Sequence, residues 1–93
     1  MKIKDDRNDE QRDTHRYLVV GTDTFLSGWG EAAGGNSYAA WACEGPDAAR
    51  TVRERIQARG EMRRVRVVYS SPSNPYRPNP RTCKHLHIYV ARD

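Results

Sequence analysis

The sequence predicts a small α+β domain: a mainly antiparallel sheet in the order β-β-α-β-β, with one helix packed on one face. Three observations predict it. Short β-branched and aromatic runs recur between loop-forming stretches, and one segment alone carries apolar residues at helical spacing. The third is length, since 93 residues hold one domain. A helix laid on one face of a small sheet buries all these stripes together.

Residues 1–14 are dense in charges of both signs, with only Met1 and Ile3 as large apolar side chains. They bury too little to offset the entropy of ordering, which predicts a disordered charged tail before a single domain over 15–93. Residues 15–21 (HRYLVVG) form a first strand ended by Gly21. Residues 22–36 contain four glycines and predict a long loop. Residues 37–43 (SYAAWAC) predict a second strand, although alanine has modest strand propensity.

The helix follows over 44–60. Pro46 suits its first position, where a missing N–H costs nothing, and Asp47 complements the dipole in the first turn. Ala48 or Ala49, Val52 and Ile56 make one apolar stripe, and Gly60 supplies the C-cap after Arg59. Arg50, Arg53 and Gln57 lie opposite. Residues 62–70 alternate, with Val65, Val67 and Tyr69 on one face and Arg64, Arg66 and Val68 on the other. Four prolines in 71–82 exclude a central strand and predict an extended loop. Residues 85–91 close the fold, with Leu86, Ile88 and Val90 turned toward the helix and His85, His87 and Tyr89 away from it.

Composition narrows the function classes. Leu, Ile, Val and Phe total 14 of 93 residues, so the core is thin. No run of about 18 apolar residues exists, which excludes a spanning helix, and the charged start MKIKDDRNDEQRD predicts no leader peptide. Two cysteines in such a chain predict reduced thiols in a cytoplasmic compartment. Residues 1–49 carry five basic and nine acidic side chains, whereas residues 50–93 carry eleven and three. Thirteen of the sixteen cations are arginine, whose guanidinium grips phosphate or carboxylate bidentately.

One stretch points beyond composition. Asp23, Thr24, Phe25, Ser27, Gly28, Trp29 and Gly30, followed by Arg59, Glu61, Met62 and Val65, form two short motifs at a consistent separation. This pattern, D-[ST]-F-x-S-G-W-G and then R-x-[DE]-M-x-x-V, resembles a group of small proteins carried by phages and integrative mobile elements. The likeness covers roughly 22–68. It implies a mobile-element origin and no assigned activity. By analogy with anti-CRISPR proteins, it implies a non-enzymatic accessory protein that binds a host protein or nucleoprotein complex stoichiometrically.

On that reading Phe25 and Trp29 anchor a partner, while Arg64, Arg66, Tyr76, Arg77 and Arg81 engage its acidic or nucleic-acid-bearing surface. Trp29 folded back as a lid over the thin core is the competing role. The alternative function is single-stranded nucleic-acid binding. Tyr17, Arg64, Arg66, His85, His87 and Tyr89 would then share an open sheet face, rings stacking on bases and cations tracking phosphates. Cys83, His85 and His87 alternate in a way that suits a soft metal, with His15 or Asp23 as a further ligand, but exposed histidines alternate on any solvated strand. The expectation is therefore no metal, no cofactor, no membrane partner and no catalytic residue, with a homodimer left open.

Overall fold

The computed structural model describes residues 2–23, 37–60 and 62–91. Its strands are β1 (Lys2–Asp5), β2 (Tyr17–Asp23), β3 (Ser37–Cys43), β4 (Met62–Tyr69) and β5 (His85–Val90), and its helices are α1 (Asp9–Thr14) and α2 (Pro46–Arg59). They form a five-stranded sheet in the order β1-β5-β3-β2-β4. β2 runs antiparallel to both β3 and β4, whereas β5 is parallel to β3 and β1 is parallel to β5. The α+β class holds, but the sheet is mixed and the β-β-α-β-β order lacks two elements. The cause of the mixed pairing lies in residues 71–84. The segment is too long for a tight hairpin, so the chain leaves the β4 edge, crosses the face opposite α2 and enters β5 beside β3.

The tail expected over 1–14 is corrected. Lys2–Asp5 adds a strand to β5, with Ile3 opposite Leu86, and the Lys2 amide donates to the Lys84 carbonyl at 2.9 Å. Arg7 then fixes the turn. Its Nε and Nη2 donate to the two Asp5 carboxylate oxygens at 3.0 and 2.9 Å, and its Nη1 donates to the His15 carbonyl at 3.1 Å. Asn8 and Gln11 close a capping box on α1. Ordering here comes from ladder and fork hydrogen bonds rather than from apolar burial, which is why composition missed it.

Both faces of the sheet are buried. α2 packs on β4, β2 and β3, where Ala49, Val52 and Ile56 meet Val19 and Cys43, flanked by Trp41, Met62, Val65 and Val67. The other face carries Leu18, Val20, Ala40, Ala42, Leu86 and Ile88, covered by Tyr76 and Cys83 of the proline-rich segment. Leu86 and Ile88 therefore face away from α2, and His87 and Tyr89 face toward it, the reverse of the expectation. Alternation alone fixed two sides of β5, not which side the helix takes.

β4 carries a bulge. Val20 pairs with Arg66 but Thr22 pairs with Arg63, so Arg64 and Val65 together oppose Gly21. Arg64 holds φ 54°, the left-handed region. The extra residue brings Met62 onto the same face as Val65 and Val67, which strict alternation would forbid. Gly21 makes room, since a Cβ there would lie 3.1 Å from the Met62 Cβ.

Candidate functional site

The expected partner-binding residues fall into three groups. Phe25 and Trp29 lie outside the described residues. Arg66 is committed internally: its Nη1 donates to the Arg64 carbonyl at 2.9 Å, its Nη2 donates to the Tyr76 hydroxyl at 3.1 Å, and its Cζ sits 5.7 Å from the centre of the Tyr38 ring. Arg66 and Tyr76 thus fasten the proline-rich segment to the sheet. Burial pushes the Tyr76 phenol above its ordinary value, and the Arg66 charge pulls it only partway back. Among the described members of the set, Arg64, Arg77 and Arg81 are exposed and can meet a partner.

The face imagined for nucleic acid does not assemble. Arg66 and Val68 lie on the proline-rich side, whereas Tyr17, His87 and Tyr89 lie on the α2 side. The bulge displaces Arg64 from the row. Tyr17 packs edge-on against Tyr69, with ring centres 5.2 Å apart. His87 is buried and its Nε2 lies 2.9 Å from an Asp6 carboxylate oxygen. Cys83 does not converge with the histidines: its thiol sits in the opposite core and donates to the His85 carbonyl at 3.2 Å, and burial raises it above the ordinary thiol value. Among the described residues no group of three or more His, Cys, Asp or Glu side chains is placed to hold a metal ion.

Two features do assemble. The first is the outer edge of β4, which ends the sheet among the described residues. Among the described residues no backbone group other than those of β2 bonds to Met62–Tyr69. The strand carries Arg63, Arg64 and Arg66 and no acid, and Arg63 and Arg64 are exposed. Its bulge and its like charges set this edge against pairing with a second copy of itself.

No protein-family model, curated protein or solved structure matches the chain.

The second feature is a cleft of about 370 Å³ between α2 and the end of β5. Trp41, Tyr89, Val90 and Ala91 line its sheet side, and Val52, Arg55, Ile56 and Arg59 its helix side. The Trp41 and Tyr89 rings stack at 5.5 Å and 19°, and the His87 ring stacks on Tyr89 at 3.9 Å and 25°. Sequence reasoning found two of these rings but missed Trp41, Arg55 and Arg59. The signal was present as an arginine pair four apart on α2, both three residues after a core position (Val52, Ile56). Among the described residues no helix is long and apolar enough to cross a membrane.

Proposed function

We propose that the chain is a mobile-element accessory protein that works without chemistry, by stoichiometric binding to a host protein or nucleoprotein complex, with the outer edge of β4 as its docking strand. One observation carries the reading: an eight-residue strand with three arginines and no acid stands at the rim of the sheet. An extended segment of a partner adds to such an edge through main-chain hydrogen bonds, and side chains on alternate positions set specificity. The charge selects the partner. A second copy of this chain would set arginines against arginines, which repel, whereas an extended segment bearing Asp or Glu would pair with them. Arg63 and Arg64 point the choice outward, while Arg66 keeps the strand tied to the segment behind it. Arg77 and Arg81 extend the same positive character along the proline-rich cover.

The test is capture from host lysate with the wild-type chain and with Arg63→Glu/Arg64→Glu, before and after nuclease. The reading expects one protein at fixed stoichiometry, kept after nuclease and lost with the double variant. Capture that survives the double variant, or that disappears with nuclease, would show that β4 is not the docking strand.

A further inference from the structure

We propose that the cavity between β1 and the proline-rich segment binds a small organic acid, its apolar body against the sheet and its carboxylate on Arg77. The cavity measures about 340 Å³, the lower end of the range for small-molecule sites. It lies on the face opposite α2, where the register sets Ile3 beside Leu86 and Asp5 beside Ile88. Ile3, Leu86 and Ile88 form its apolar floor, and Pro72, Pro75 and Tyr76 form the wall that faces them. Leu86 and Ile88 are buried, but Ile3 is 43% exposed, with Tyr69 the large hydrophobics left so among the described residues. Ile3 is also the one apolar residue of β1. A ligand with an apolar body would take that surface out of water, which is the gain that holds it in the cavity.

Charge selects the rest of the ligand. Arg7, Arg12 and Arg77 line the cavity against one acid among the described residues, Asp5. That acid is already matched: its two oxygens accept from Arg7 at 3.0 and 2.9 Å, and Arg12 Nε stands 3.5 Å away. Arg7 is buried in these bonds, and Arg12 also meets Asp9 at 3.1 Å. Arg77 differs. It is exposed, and its side chain enters no hydrogen bond or ion pair among the described residues. An amine would meet three guanidiniums, and a neutral body would leave Arg77 unmatched. A carboxylate instead takes two parallel hydrogen bonds from that guanidinium fork. The site is independent of the docking strand, since none of the described residues that line it belongs to β4.

Amide-proton NMR titration of the full chain tests the site. The probes are phenylpropionate and isocaproate, their primary amides as neutral counterparts, and acetate as the charge without the body. The acids, at up to about 10 mM, are expected to shift the amides of Ile3, Ile88 and Arg77 with a Kd of a few millimolar or tighter. Tighter binding of phenylpropionate would mark an aromatic body and of isocaproate an aliphatic one; either supports the site. Arg77→Gln is expected to weaken the acids about fivefold or more. Arg50→Gln removes an exposed arginine from α2, on the opposite face, and is expected to change acid binding by less than about twofold. Ile3→Ser should cost about threefold or more through lost floor area, and Arg77→Gln keeps the test open if that variant loosens β1. No shift at these three amides would overturn the site. So would primary amides or acetate binding as well as the acids, or equal losses from Arg77→Gln and Arg50→Gln. Because the docking reading is measured by protein capture with Arg63→Glu/Arg64→Glu, the two fail separately.

Discussion

On one face of the sheet the cover is α2, whose Ala49, Val52 and Ile56 meet Val19 and Cys43; on the other it is an irregular segment, whose Tyr76 and Cys83 meet Leu18, Val20, Ala40, Ala42, Leu86 and Ile88. A helix satisfies its own backbone, so its packing needs only an apolar stripe. An irregular cover must find a partner for each buried polar group. Here the Tyr76 amide donates to the Ser70 hydroxyl at 2.9 Å, and the Thr82 and Cys83 amides both donate to the Asn79 carbonyl, at 3.1 and 2.9 Å. The prolines help by having no donor to satisfy, and Pro78 is buried. Local hydrogen bonds at a few anchors replace periodicity, and the face beneath is the more completely buried of the two.

The largest effect comes from testing whether that irregular cover is as firm as the helix. Leu86 is fully buried, and Leu86→Ala should destabilise by about 3–5 kcal/mol in chemical denaturation, against about 2–4 kcal/mol for Ile56→Ala under α2. A reversed order would mean that residues 71–84 collapse into the cavity, and the cover would be pliant rather than anchored.

Tyr76→Phe removes the acceptor of the Arg66 bond and should cost about 1–3 kcal/mol, since a charged donor loses its partner in a half-buried site. The same anchor sets an alkaline sensitivity. Tyr76 and Cys83 are both raised by burial, so their contribution is complete below the ordinary tyrosine and thiol values and is lost as pH rises past them. The N-terminal side behaves in the opposite sense. Burial alone pushes the Asp5 carboxyl up, but the Arg7 bonds and the charges of Arg7 and Arg12 outweigh it and hold Asp5 below the ordinary value. Its contribution is present above about pH 4 and is lost as pH falls. Denaturation midpoints against pH should flatten at the alkaline end in Tyr76→Phe and at the acid end in Asp5→Asn. A variant that flattens the wrong limb would break the assignment.

The same contrast explains what the sequence revealed. The α2 stripe, the Pro46 start and the left-handed Gly60 cap were legible because a helix writes its contacts at three- and four-residue steps. The strands at 37–43, 62–69 and 85–90 were legible from their β-branched and aromatic runs. The valine side of β4 does face the helix, as the alternation implied, but the side that β5 shows to it was not legible, because a strand buried on both faces gives alternation no polar side to mark. β1 and α1 were illegible in composition, although Asn8 and Gln11 three residues apart were a capping signal in plain view. For the site, Tyr89 and His87 were found as residues but placed with the wrong cations. Joining them to Arg55 and Arg59 required the parallel β3–β5 pairing, which no local pattern encodes.

Gly21→Ala probes the point where β4 is fitted to both covers. The new methyl would press on the Met62 Cβ, an atom fixed to backbone, and the cost should be about 1–2 kcal/mol by overpacking. A neutral result would mean that the bulge shifts freely.

The smallest effect has the more telling sign. Arg64 holds φ 54° to give β4 its extra residue, a conformation that costs a side-chain-bearing residue about 1 kcal/mol or more. Glycine adopts it without that strain but loses more entropy on folding, so Arg64→Gly should leave stability unchanged or raise it by up to about 1 kcal/mol. The Arg66 bond to the residue 64 carbonyl survives, because it is made to backbone. Arg63→Gly, one position earlier in ordinary strand conformation opposite Thr22, removes the same charge and should lower stability by about 0.5–1 kcal/mol. The pair cancels the effect of lost charge, so opposite signs isolate the backbone. Equal losses from both would show that residue 64 carries no strain, and the bulge would then be set by packing from Met62 and Val65 instead of by the turn of the chain.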